Sequence, residues 1–227
     1  MDPTMLVRHF MTRTVVTVTG TMRCRDALKF FHEENLRRAP VMRGERLVGM
    51  VGLSDLLRIL PGSVSEQDSS SGLANERSVV AQVMATELVT LDPEDHLEDA
   101  AQKMITHKIG GIPVLHQGRL EGLLTESDIF RAFVGMTRPE RELRVTFGLQ
   151  AGLKEAPDPV LIALRLGFRI RGYIMHARPG GEEIALLRVR GPKKRQLIES
   201  LGQAGYTVIE IVDTQPGAEA QDARPAA

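Results

Sequence analysis

An internal duplication constrains this sequence more than any other feature. When the chain is aligned with itself at an offset of 73 residues, residues 11–58 match residues 84–131 without a gap. Identical pairs include Met11 and Met84, Gly49 and Gly122, and Asp55 and Asp128. Because the unit occurs only twice and is longer than an ordinary solenoid repeat, it predicts two half-domains that share one core.

Both copies carry the same hydrophobic pattern. A short extended stretch (residues 15–18 and 88–91) precedes an amphipathic helix (residues 23–34 and 97–107), followed by a hairpin and the start of a second helix. The predicted hairpin strands are residues 39–42 with 47–51, and residues 112–115 with 120–124. Each repeat therefore reads β-α-β-β-α, and the Gly/Ser-rich residues 61–78 between them predict a flexible linker.

The ends of the two hairpins carry the residues best suited to bind a ligand. Residues 49–55 (GMVGLSD) and 122–128 (GLLTESD) each join a strand to a helix start. A carboxylate such as Asp128 can accept hydrogen bonds from ribose hydroxyls, and the Thr125 hydroxyl can donate to a phosphate. The same Thr-x-x-Asp spacing also fits a helix capping box, which requires no ligand, and both interpretations remain open here.

With these motifs, and with Pro40-Val41 and Pro113-Val114 on the middle strands, the duplicated region resembles the cystathionine-β-synthase (CBS) domain family over residues 6–135. The resemblance implies an α+β fold in which tandem CBS repeats, residues 6–60 and 79–135, form one module. It also implies an adenine nucleotide (AMP, ADP, ATP or S-adenosylmethionine) as regulatory ligand, with no catalytic cofactor.

The two copies differ where the family binds nucleotides. Copy one has Gly52 in place of Thr125, and copy two has Gly110-Gly111 in place of Arg37-Arg38. In the family, a basic residue at that second position reaches the phosphates of the cleft built on the other repeat. The resemblance thus implies one dominant site, with the following residues: Thr125, Asp128, Arg37, Arg38, Met11, Val16, Leu36 and Leu123. It leaves a weaker second site of Asp55, Val89, Ile109 and Gly110. Alternatively, Arg37 and Arg38 are a solvated pair at a helix end.

The pattern changes after Gly135. The hydrophobic pattern here predicts the element order βαββαβ. The elements are residues 141–149, 159–166, 171–178 and 183–190, a helix beginning at Pro192, and residues 206–212. This is the order of ferredoxin-like sandwiches, in which two helices cover one face of an antiparallel sheet. Residues 214–227 are rich in Gln, Pro, Gly and Ala and predict a disordered tail.

Residues 141–213 resemble the ACT domain, a regulatory domain that binds small molecules or pairs with another copy. The family's acidic residue and Pro-Gly are not at their usual place, since Pro159 stands where Gly is expected. Any ligand site would therefore use backbone amides near Gly152; a sheet used only for pairing is the alternative. A CBS pair followed by an ACT domain resembles the bacterial acetoin-utilisation protein B family, which implies a cytoplasmic regulatory protein and homodimer.

Composition narrows the remaining function classes. Lys plus Arg equals Asp plus Glu at 29 each and aromatic residues make up 4%, which argues against a nucleic-acid partner. No apolar run approaches a membrane span, and the single Cys24 fits a reducing compartment. The six histidines show no metal-site spacing, so we expect no metal and no catalytic residues. The prediction is a non-enzymatic nucleotide sensor; a structural dimer with empty clefts and a nucleotide hydrolase are the alternatives.

Overall fold

The computed structural model describes residues 5–58, 77–137, 142–149, 156–177 and 183–214. The chain divides into two compact units, residues 1–133 and 134–227, called here the N-terminal and C-terminal units. Almost all of the expected linker, the expected tail after Thr214, and Gly152 lie outside the described residues. The predictions made for them therefore stay predictions.

The two repeats of the N-terminal unit have nearly the same elements. Repeat one contains β1 (Val18–Thr19), α1 (Cys24–Glu33), β2 (Arg38–Arg43), β3 (Arg46–Gly52) and α2 (Leu53–Arg58). Repeat two contains α3 (Leu97–His107), β4 (Gly111–His116), β5 (Arg119–Thr125) and α4 (Glu126–Thr137). Both hairpins are antiparallel and have a register shift at equivalent positions, between Val41 and Met42 and between Val114 and Leu115.

The first extended stretch is shorter than predicted in both repeats. In repeat one, only Val18 and Thr19 pair with β2, in parallel. In repeat two, residues 88–91 form a single bridge between Leu91 and Val114 rather than a strand. The pairing ends there because the chain turns at once, with the Asp95 amide donating to the Asp92 carbonyl at 3.0 Å.

The repeats exchange their N-terminal segments. Residue Thr12 of repeat one forms a two-way backbone bridge with Leu123 of repeat two, with N–O distances of 2.9 and 3.0 Å. Met50 of repeat one and Ala85 of repeat two form the equivalent bridge, at 2.9 and 2.8 Å. Short 3-10 helices, Val7–His9 and Val80–Gln82, lie on these segments.

This exchange produces two cores where the sequence predicted one shared core. Val7 and Met11 of repeat one are buried in the core of repeat two, beside Met104 and Leu124. Val80 of repeat two is buried in the core of repeat one, where Val83 and Met84 pack against it. Each core is therefore incomplete without a segment of the other repeat, because the burial of aliphatic side chains is the main stabilising contribution.

The C-terminal unit is a four-stranded antiparallel sheet with two helices. Its elements are β6 (Glu142–Leu149), α5 (Pro159–Arg165), β7 (Arg169–Ala177), β8 (Glu183–Arg190), α6 (Lys194–Gln203) and β9 (Tyr206–Thr214), with the strand order β7-β8-β6-β9. Ala163 of α5 and Leu197 and Leu201 of α6 join one core with alternate residues of β6 and β8, so both helices cover the same face.

The starts of the two C-terminal helices differ in how they are capped. Asp158 caps α5 by accepting a hydrogen bond from the Val160 amide at 2.7 Å, with Pro159 at the first helical position. Pro192 was expected at the first position of α6, but this helix begins at Lys194, and Lys193 precedes it without a side-chain cap.

A buried ion pair lies in the C-terminal unit. The Arg188 guanidinium contacts Glu142 Oε1 at 2.5 Å, and the two side chains are 5% and 1% exposed. Arg188 Nη1 also donates at 3.0 Å to the carbonyl of Met136, which lies in the last turn of α4, and residues 134–137 of that helix belong to the C-terminal unit. The interior of this unit thus contains two charges that compensate each other.

Candidate functional site

A cleft of about 450 Å³ lies in the N-terminal unit where β5 meets α4. Segments of both repeats line it, because the exchanged N-terminal segment of repeat one lies against β5. The lining residues are Thr12, Thr14, Val15, Val16, Asn35, Leu36, Arg37, Arg38, Gly110, Leu123, Thr125, Glu126, Ser127 and Arg131.

Thr125 and Asp128 are linked tightly at the edge of this cleft. Asp128 Oδ2 accepts hydrogen bonds from the Thr125 amide at 2.8 Å and from its hydroxyl at 2.6 Å. Asp128 Oδ1 lies 3.0 Å from Arg131 Nη1, and the Asp128 side chain is 2% exposed. The Thr125 hydroxyl proton is therefore already engaged, and the hydroxyl can donate to a phosphate only by releasing Asp128.

Arg38 lies across the paired glycines of repeat two. A side chain at Gly110 would collide with the Arg38 guanidinium, and a Cβ at Gly111 would be 2.7 Å from Arg38 Cδ. Burial lowers the pKa of Arg38 below its ordinary value; the charge of Glu126 opposes this shift and that of Arg37 adds to it. Because a guanidinium keeps its proton in proteins, Arg38 contributes a positive charge beside the carboxylate of Glu126.

Most residues expected at the dominant site meet in this cleft. The structure places Val16, Leu36, Arg37, Arg38, Leu123 and Thr125 in its lining. Two of the expected residues, Met11 and Asp128, do not line it. Met11 is buried, and its Sδ atom is 2.5 Å from the Cβ position of Gly122. Asp128 is also buried, and its carboxylate accepts the hydrogen bond from the Thr125 hydroxyl.

The residues assigned to a weaker second site are placed differently. Gly110 lines the first cleft, where it makes room for Arg38. Val89 and Ile109 pack against the core of repeat two. Asp55 accepts a hydrogen bond from the Gly52 amide at 2.9 Å, and its side chain is 31% exposed. The amide three residues earlier thus donates to Asp55 as it does to Asp128, but Gly52 has no hydroxyl that could donate as the Thr125 hydroxyl does.

Sequence reasoning missed several polar residues of the cleft, among them Thr12, Thr14, Glu126, Ser127 and Arg131. Arg131 could have been found, because it lies three residues after Asp128 and so on the same side of a helix. Thr12 and Thr14 could not be found from one repeat alone, since they reach the cleft only through the exchange of segments.

The C-terminal unit contains a separate cavity of about 440 Å³ beside the start of α6. Its charged lining residues include Glu142, Lys194 and Asp213. Lys194 forms an ion pair with Asp213, and Glu142 forms one with Arg188. Arg190 also lines this cavity and adds a positive charge to it.

Among the described residues, no three His, Cys, Asp or Glu side chains come together as a metal site would require. None of their helices combines the length and apolar character needed to span a membrane.

The family model that matches the chain is the CBS domain, at residues 7–62 and again at residues 80–135. The CBS domain-containing protein YhcV of Bacillus subtilis is 30% identical over 54% of this chain and 81% of its own length. Other curated relatives are longer: the chain spans 48% of one and about a quarter of two enzymes.

Two solved structures resemble more than half of the chain. An acetoin utilization protein, AcuB, of Vibrio cholerae is 26% identical with a TM-score of 0.50, over 59% of this chain and 93% of that one. The structure of CBSX2 in complex with AMP is 28% identical with a TM-score of 0.50, over 59% and 98% of the two chains. Taken with the two matched repeats, these likenesses show that the chain belongs to the family of CBS-domain proteins.

Proposed function

We propose that this chain is a non-enzymatic regulatory protein that binds an adenine nucleotide (AMP, ADP, ATP or S-adenosylmethionine) in the cleft between its repeats. One observation carries the proposal. Arg37 and Arg38 of repeat one line the same cleft as Thr125 and Ser127 of repeat two. A cleft that combines cations and hydroxyls suits a phosphorylated ligand.

The other walls suit a nucleoside. Val16, Leu36 and Leu123 provide aliphatic surface on which a base can lie, and they come from both repeats. Asp128 is the ribose partner in this proposal, with Thr125 giving way as the sugar hydroxyls donate to the carboxylate. Arg131, which lines the cleft, donates to the phosphate. AMP in the similar CBSX2 structure supports this ligand class.

The C-terminal unit is an ACT-like domain in this proposal. Support comes from its strand order β7-β8-β6-β9 and from the two helices on one face of the sheet. Its output is pairing with a second copy of the chain, small-molecule sensing, or binding of a regulated protein. A nucleotide changes this output only by the difference between its affinities for the two states of the protein.

One observation favours a second candidate, a structural module with empty clefts. The Thr125 and Asp128 side chains satisfy each other as in a helix cap, so this arrangement is complete without a ligand. The two candidates differ in ligand binding. A nucleotide-binding protein gains thermal stability when the ligand is added, and a module with empty clefts does not.

The test is calorimetric titration of the four ligands into the wild type, Arg37→Ala, Arg131→Ala and Arg58→Ala. Arg58 occupies in repeat one the position that Arg131 occupies in repeat two, but it does not line the cleft, so it is the matched control. We expect Arg37→Ala and Arg131→Ala to weaken binding by about tenfold, the loss of one charge-assisted hydrogen bond. Absence of binding by all four ligands to the wild type would favour the structural module.

A further inference from the structure

The nucleotide cleft contains an acidic side chain that the proposed function does not use. Among the described residues that line this cleft, Glu126 is the only acidic one. It follows Thr125 directly and is an exposed residue in the first turn of α4. Repeat one has Leu53 at the equivalent position, so the carboxylate belongs to one copy only.

Glu126 lies at the basic end of the cleft, beside Arg38. A Cβ at Gly110 would be 2.6 Å from Glu126 Oε2 and 2.7 Å from Arg38 Nη1, so the two side chains approach each other over the same glycine. Burial lowers the pKa of Arg38, and the charge of Glu126 opposes that shift, as expected for opposite charges close together. Glu126 thus offsets part of the positive charge that Arg38 presents to a ligand.

A second guanidinium of the cleft is offset in the same way. Arg131 Nη1 lies 3.0 Å from Asp128 Oδ1. Of the three arginines in the lining, Arg38 and Arg131 therefore each have a carboxylate nearby. The positive charge that remains suits one phosphate group. Each further phosphate brings more negative charge into a cleft that already holds a carboxylate at its basic end, and like charges repel.

We propose that the cleft takes a nucleoside monophosphate, and that Glu126 selects it by repelling the additional phosphates of nucleoside di- and triphosphates. The inference rests on the proposed function and adds the ligand class and the residue that determines it. Specificity is a difference between two affinities, and a like charge placed against the longer ligand increases that difference.

The test is calorimetric titration of AMP, ADP and ATP into the wild type, Glu126→Gln and Glu98→Gln. Glutamine keeps the size of the side chain and removes its charge. Glu98 is the matched control, because it is an exposed residue in the first turn of α3 and does not line the cleft. Both substitutions remove a negative charge from a helix start, so any effect on the helix dipole is common to both. The buffer contains EDTA, since a divalent cation would mask the phosphate charge.

We expect the wild type to bind AMP at least about tenfold more tightly than ATP. Glu126→Gln should raise the affinity for ATP about tenfold and the affinity for AMP by a smaller factor, so that the preference for AMP falls. This gain for ATP should shrink at high salt, because mobile ions screen exposed charges. Glu98→Gln should leave the ratio of the two affinities unchanged. If Glu126 served only to stabilise the start of α4, its removal would lower the melting temperature and leave that ratio as it is.

Three results would overturn the selectivity proposal: a wild type that binds ATP as tightly as AMP, an equal change for both nucleotides in Glu126→Gln, or the same change of ratio in Glu98→Gln. Absence of binding by all three nucleotides to the wild type would contradict the proposed function itself. Binding without a preference for AMP would contradict only the role of Glu126, so the two failures can be told apart.

Discussion

The Arg38 guanidinium occupies the space that a side chain at residue 110 would need, so Gly110 and Arg38 fit each other across the two repeats. The difference between Arg37-Arg38 in one copy and Gly110-Gly111 in the other is thus a packing relationship as well as a difference in charge. It places positive charge in one cleft and leaves less at the equivalent place in the other copy.

Gly110→Ala should displace Arg38 and weaken nucleotide binding. The added Cβ would meet the guanidinium and Glu126 Oε2, which are both ends of flexible side chains. We expect a stability loss of about 1 kcal/mol from overpacking and an affinity loss of about tenfold if Arg38 contacts the phosphates. Gly135→Ala is the control, because a Cβ there would meet nothing within 4 Å. Equal affinity for AMP in both variants would show that the position of Arg38 does not matter.

Gly122→Ala should destabilise the N-terminal unit through Met11. The new Cβ would be 2.5 Å from Met11 Sδ and 3.1 Å from the Thr12 carbonyl oxygen. Overpacking of this kind costs about 1–3 kcal/mol, measured by urea unfolding. Met11→Ala in the same chain should remove part of that cost, with a coupling of about 0.5–3 kcal/mol for residues in contact. Purely additive effects would show that the two residues do not meet in solution.

Gly49→Ala provides an independent check on the exchange of segments. Gly49 stands opposite Met84, with a Cβ-to-Sδ distance of 2.5 Å. The same loss of stability is expected, and Met84→Ala should reduce it. If Met84→Ala reduced the cost of Gly122→Ala instead, each N-terminal segment would pack on its own repeat.

Arg188→Met should strongly destabilise the C-terminal unit. It leaves the carboxylate of Glu142, whose side chain is 1% exposed, without the guanidinium that compensates its charge. Breaking a buried pair in this way costs about 3–5 kcal/mol. Lys194→Ala removes a half-exposed pair with Asp213 and should cost at most about 1 kcal/mol. Urea unfolding distinguishes these outcomes, and the double change Arg188→Met with Glu142→Leu should recover much of the loss.

Cys24 predicts a pH dependence of stability. Burial raises the pKa of its thiol above the ordinary value, so the folded protein holds the neutral thiol. The contribution of the neutral thiol to the free energy of unfolding is fully present below the pKa of a thiol in the unfolded chain, about 8.5. It is lost as the pH rises from there through the folded pKa, because the unfolded chain then releases a proton that the folded chain retains.

The stability difference between the wild type and Cys24→Ala should therefore shrink between pH 7 and pH 10 in urea unfolding experiments. Other titrating groups act in both proteins and cancel in this difference. A constant difference over that range would mean that the Cys24 thiol ionises equally in the folded and unfolded states.

Much of the local structure could be predicted from periodicity. Helix α3 spans Leu97–His107 as predicted, and the strands of both hairpins begin and end within one residue of their predicted bounds. These elements depend on patterns within one repeat. The bridge between Thr12 and Leu123 does not depend on such a pattern. Alignment of the two copies shows which positions are equivalent, but it does not show which copy each N-terminal segment contacts.

The candidate site was predictable to a similar extent. The difference between the copies located Arg37, Arg38 and Thr125, which the structure places in one cleft. The sequence could not predict the hydrogen-bond partner of the Thr125 hydroxyl, because Asp128 and a phosphate compete for its one proton. The contact of Met11 with a base stays a prediction: its side chain is buried in the core of repeat two, and an apolar side chain in this segment can face either the cleft or the core.

The asymmetry between the two repeats is tested by calorimetric titration of AMP, ADP, ATP and S-adenosylmethionine into Asp128→Asn and Asp55→Asn. The two carboxylates occupy equivalent positions and accept equivalent backbone hydrogen bonds, so each is the control for the other. One dominant cleft predicts that Asp128→Asn weakens the main binding event by about tenfold or more, while Asp55→Asn leaves it unchanged. Equal losses in the two variants would contradict the asymmetric site.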